Sequence, residues 1–96
     1  MSTSNHFTLE PLDNTRLANL CGSMDDNLKA IERRLGVKIS YNSNQFKVMG
    51  EPANCDAVVS LLKDLYLETA TVKGEFKEIS DEMVHLAILD AKVLEQ

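Results

Sequence analysis

The sequence predicts an α+β fold of element order β-α-α-β-β-α, followed by one further helix. Two observations predict it. Three short stretches alternate apolar with polar residues at the period of a half-buried strand: Phe7-Thr8-Leu9, Val37 to Tyr41, and Phe46-Lys47-Val48. Elsewhere apolar residues recur at three- and four-residue spacing, and Gly22 and Gly36 mark where such runs stop.

Residues 1–5 are polar and read as a flexible N-terminus. His6 to Leu12 is expected to form a strand that Pro11 halts. Asp13 or Asn14 can cap a first helix carrying Leu17, Leu20 and Cys21, with Gly22 as its stop. Ser23 is the expected N-cap of a second helix, with Asp26 three residues on. Met24, Leu28, Ile31 and Leu35 share one face of that helix, and Lys29 and Arg33 lie opposite. Gly36 closes it. A hairpin follows, turning at Asn42-Ser43-Asn44.

Pro52 suits the first turn of a third helix, striped by Cys55, Val58, Val59, Leu62, Leu65 and Tyr66. Residues 71–78, with Gly74, form a connector between a domain at 6–70 and an appended helix at 79–96. Ser80 caps that helix, and Ile79 can staple onto Val84. Its residues Val84, Ala87, Ile88 and Ala91 cluster on one face, while Leu86, Leu89 and Val93 cluster on nearly the opposite one. The first face can close the domain's core. The second is expected to be an interface.

Charge is unevenly placed. The 96 residues carry −5 overall. Residues 13–50 hold six Lys/Arg against four Asp/Glu, whereas residues 51–96 hold four against ten. A nucleic-acid face therefore belongs in the first half. The absence of tryptophan and the few aromatics make base-stacking platforms scarce. Cys21 and Cys55 are too few and too distant for a zinc site, and both fall in apolar helical positions. No leader or long apolar run is present, so a cytoplasmic protein without a membrane partner is expected. No residue pattern for catalysis stands out: Asp25 and Asp26 diverge by about 100° on a helix, and no glycine-rich phosphate cradle occurs. No cofactor is expected in this chain.

Gly22-Ser23-Met24-Asp25, then Asn27-Leu28-Lys29-x-Ile31 and Gly36-Val37-Lys38-Ile39, resemble the core of a KH nucleic-acid-binding domain. There two helices meet at a G-x-x-G loop. Gly22 takes the first glycine position and Asp25 stands at the second, so the loop departs from the pattern. Two carboxylates at a helix start also occupy the positive field a phosphate would use. On this resemblance the candidate RNA-contacting residues are Gly22, Ser23, Lys29, Arg33, Arg34, Lys38, Asn44 and Lys47.

A narrower resemblance spans nearly the whole chain. Leu9-Glu10-Pro11, Asp13-Asn14, Arg16-Leu17-Ala18, Leu20-Cys21-Gly22 and Arg33-Arg34-Leu35-Gly36-Val37, with His85 to Gln96 at the end, look like the N-terminal domain of a bacterial PhoH-like protein of the phosphate-starvation-inducible family. The resemblance implies a non-catalytic module before a P-loop ATPase domain. ATP and Mg are implied for that domain alone, since no G-x-x-x-x-G-K-[ST] occurs here. It also implies a link to RNA metabolism beside an endoribonuclease of ribosomal-RNA maturation. The surface formed by Leu86, Leu89 and Val93 would then meet the ATPase domain or a second subunit. A different reading keeps the scaffold and drops the RNA: a protein-interaction or oligomerisation module whose KH loop has lost its chemistry.

Overall fold

The structure is a computed structural model that describes residues 2–70 and 79–94, with side chains to Ala91. The connector expected at 71–78 and the side chain of Val93 lie outside the described residues. Among the described residues the fold is α+β. Its elements are β1 (Thr3–Thr8), α1 (Asn14–Cys21), a 3-10 turn (Ser23–Asp25), α2 (Asp26–Leu35), β2 (Lys38–Asn42), β3 (Gln45–Gly50), α3 (Pro52–Glu68) and α4 (Asp81–Leu94).

The strands make one antiparallel sheet in the order β1-β3-β2. The register places Phe7 opposite Phe46 and Asn5 opposite Val48 on β1, and Ile39 and Tyr41 opposite Val48 and Phe46 on β2. Because side chains alternate across a strand, these residues share the face that carries the helices. Phe7 and Tyr41 both stack on Phe46, with ring centroids 5.7 and 5.1 Å away. β1 begins at Thr3, so Thr3–Asn5 are paired strand rather than a frayed end. Polar side chains suit this edge because the ladder bonds come from the backbone, Ser4 and His6 face outward, and Asn5 on the helix side donates to Asp56 Oδ1 at 3.2 Å.

Asp13 caps α1 by accepting from the Arg16 N–H at 3.1 Å. The buried face of α3 includes Cys55, Val58, Leu62, Leu65 and Tyr66 as expected, with Leu61 added and Val59 only half-buried. Leu61 is buried on the flank where α4 packs beside α3. Ser80 caps α4 through the Met83 N–H at 3.2 Å, and Ile79 and Val84 are both buried at its start. Val84, Ile88 and Ala91 join the core, while Leu86 and Leu89 stay 54% and 41% exposed. The last helix is thus a wall of the same core as residues 6–70. No described helix is long and apolar enough to cross a membrane.

Candidate nucleic-acid interface

The loop between α1 and α2 is tighter than the sequence suggests. Gly22 has φ 80° and ψ 179°, and Met24 (φ 52°) and Asp25 (φ 60°) follow in left-handed conformation. Two consecutive left-handed residues cannot continue a helix, so α2 starts only at Asp26. Ser23 makes no side-chain cap, and Met24 is 83% exposed instead of lying on the apolar face. Both expectations for these residues fail for that one reason.

Gly22 also has a packing role. A Cβ there would stand 2.9 Å from Asn27 Nδ2. The buried Asn27 amide donates to the Leu20 carbonyl at 3.0 Å and to the Ile79 carbonyl at 3.1 Å, tying the end of α1 to the segment that starts α4. A buried amide is costly to leave unpaired, so the loop is built around it. Gly22→Ala is expected to cost about 1–2 kcal/mol, from backbone strain and displacement of Asn27. Urea unfolding checks it.

Asp25 faces across the loop rather than along α2. The Tyr41 hydroxyl donates to its Oδ1 at 2.7 Å, so the carboxylate engages β2. The same bond holds the Tyr41 phenol above its ordinary value, with burial adding to it. A raised phenol pKa keeps this contact complete below the ordinary tyrosine range and weakens it only as pH rises beyond, so it is intact at neutral pH. Beside it, burial pushes the Cys21 thiol up to about 11, against a lowering by Tyr41 and a smaller raising by Asp25. Cys21 is therefore a protonated core residue at neutral pH.

The expected basic site is dispersed. Lys29 and Arg33 are exposed one turn apart on α2, with Arg33 bordering the cleft to α4. Arg34 turns toward α4, where its Nη1 lies 3.3 Å from His85 Nδ1. Asn44 serves the fold: its Nδ2 donates to the Leu9 carbonyl at 2.8 Å, and its own carbonyl accepts from the Leu9 N–H at 2.9 Å. Between these groups, Glu32 reaches β2 and accepts from the Ile39 N–H at 2.8 Å. This bond covers an otherwise free donor on an edge strand.

Lys38 and Lys47 fall elsewhere, on the side of the sheet away from the helices. The register puts Ser4, His6 and Thr8 of β1, Gln45, Lys47 and Met49 of β3, and Lys38, Ser40 and Asn42 of β2 on that one face. His6 stands directly opposite Lys47, and Lys38 lies one pair away diagonally. Among the described residues, no carboxylate sits at these nine strand positions, in a chain with 15 Asp and Glu. Sequence reasoning missed it because His6 lay in a segment whose strand phase was not placed against β3. Among the described residues no group of three His, Cys, Asp or Glu is arranged to hold a metal ion. No model of a known protein family matches the chain.

Proposed function

We propose that this chain is a non-catalytic docking module on a KH-like scaffold, of the kind that precedes the ATPase domain in PhoH-like proteins, and that it acts by binding another protein surface. The observation that carries the reading is the loop: Asp25 stands where a backbone approach to phosphate is needed and is held there by Tyr41. Gly22, the remaining glycine of the pattern, is explained by Asn27. A negative charge fixed at the mouth of the loop opposes a phosphate chain.

The test is a titration of fluorescent single-stranded RNA with the purified chain at low and physiological salt. Binding weaker than about 1 μM at physiological salt is expected, where non-specific protein–nucleic acid affinities fall. Tighter binding defeats the reading. Asp25→Gly should strengthen whatever binding exists, by removing the charge and freeing the loop. Its effect on stability is expected to be small. Glycine relieves left-handed strain of about 1 kcal/mol, while the lost Tyr41 bond removes a similar amount.

The lack of a carboxylate at the described strand positions of the sheet face away from the helices favours a second reading, RNA contact through Lys38, Lys47 and His6. On that reading Lys38→Ala and Lys47→Ala each lower the salt slope of RNA binding by about 0.7 log units per lost phosphate contact, with Asp25→Gly silent.

A further inference from the structure

We propose that the groove between α3 and α4 is a docking site for a positively charged amphipathic helix of another polypeptide. This rests on the docking reading above and assigns the surface and the chemistry of its partner. The groove encloses about 570 Å³. Its floor is apolar, formed by Leu61 and Leu65 of α3 with Met83 and Ala87 of α4. Leu86 is 54% exposed at its edge, a large apolar side chain left in water beside an apolar trough. The lining runs from Ala53 to Glu68, so α3 offers a trough about 22 Å long, enough for roughly four turns of a helix. Such a trough accepts apolar anchors at three- and four-residue spacing.

Charge selects among occupants. Asp56, Asp64 and Glu68 of α3 and Asp90 of α4 rim the groove, and none of the described residues lining it is basic. The rim repels nucleic acid. It also disfavours a second copy of this chain, because a two-fold contact sets the same patch against itself and brings carboxylate to carboxylate. Lys or Arg flanking the apolar stripe of a partner helix answers all four carboxylates at once and speeds encounter. Leu89 is exposed but does not line the groove, so of the expected Leu86/Leu89/Val93 surface it is Leu86 that serves this site.

The experiment uses two labelled model peptides of about 14 residues, long enough to span the trough as helices. One is an amphipathic Leu/Lys sequence and the other its Leu/Glu counterpart. The Leu/Lys peptide is expected to bind at one site with salt-sensitive affinity, and the Leu/Glu peptide not to bind. Leu86→Ser should weaken the Leu/Lys peptide by about fivefold or more, the loss expected for one partly buried leucine. Asp64→Lys with Asp90→Lys should transfer preference to the Leu/Glu peptide. The charge-matched pair Glu10→Lys with Asp26→Lys, away from the groove, should leave the preference in place. Circular dichroism confirms that each variant is folded. Absence of Leu/Lys binding overturns the proposal, as does an equal response to the control pair, which would mean diffuse charge attraction. Sedimentation showing a dimer that Leu86→Ser dissolves overturns it too, by making a second copy the occupant. Tight RNA binding would defeat the docking reading through a separate measurement, whereas peptide failure alone defeats only the groove.

Discussion

Arg16→Met is expected to lower unfolding stability by about 2–4 kcal/mol, although arginine at a helix surface is ordinarily replaceable at little cost. Arg16 is only 6% exposed. Its Nε donates to Thr69 Oγ1 at 2.9 Å and its Nη2 to the Tyr66 carbonyl at 2.9 Å. The guanidinium carbon also lies 4.3 Å from the centre of the Tyr66 ring. The cation therefore sits against the last turn of α3, whose carbonyls give the negative end of the helix dipole. Among the described residues, that dipole, two accepting oxygens and the ring compensate the cation. Methionine keeps the apolar stem and leaves the Tyr66 carbonyl without this donor. Arg16→Lys should recover less than half of the loss, since one ammonium cannot reproduce the planar fork that reaches both oxygens. Urea unfolding of the three proteins decides it, and a loss below about 0.5 kcal/mol, the size of an ordinary surface effect, sinks the account.

Arg16 marks a limit on what the sequence reveals. An arginine beside Leu17 in an amphipathic helix reads as solvated, and only the position of α3, fifty residues later, turns it inward. The loop was hidden for a local reason. Met24 and Asp25 adopt positive φ although neither is glycine, so the Ser23-to-Asp26 spacing pointed to a cap that the backbone does not form. β1 begins three residues before its apolar pattern does, because Thr3, Ser4 and Asn5 show no apolar alternation and their strand depends on Val48, Met49 and Gly50 as partners. By contrast, Leu28, Ile31 and Leu35 of α2 and Phe46 and Val48 of β3 are buried as their periods require. Where one face is apolar and the other wet, the period alone specifies orientation. Dispersal of the basic residues was not legible, because it depends on which flank of α2 faces α4 and which face of the sheet the helices leave open.

Ile88→Ala is expected to destabilise the whole domain by about 2–4 kcal/mol, whereas Leu89→Ala changes stability by less than about 1 kcal/mol. The two residues are neighbours on α4, so helix propensity separates them little. Ile88 is 1% exposed and Leu89 41%. Truncating Ile88 removes buried methyl groups and leaves a void where α4 meets α2 and α3, while truncating Leu89 mainly removes surface already in water. If α4 were a separate appendage after residue 70, Ile88→Ala would melt that helix alone. Urea unfolding followed by circular dichroism would then show two transitions, with the sheet and α1–α3 holding their original midpoint. One cooperative transition, shifted as a unit, is the expected outcome. Val84 at 2% exposure and the Asn27 amide bond to the Ile79 carbonyl fasten the same helix to the α1–α2 loop. Loss of α4 packing should therefore also loosen the left-handed loop that presents Asp25, and hydrogen exchange at the Asp25 amide, which donates to the Gly22 carbonyl at 3.2 Å, should quicken in Ile88→Ala. Unchanged exchange there, with a full loss of global stability, would place the coupling in the α3 contact alone.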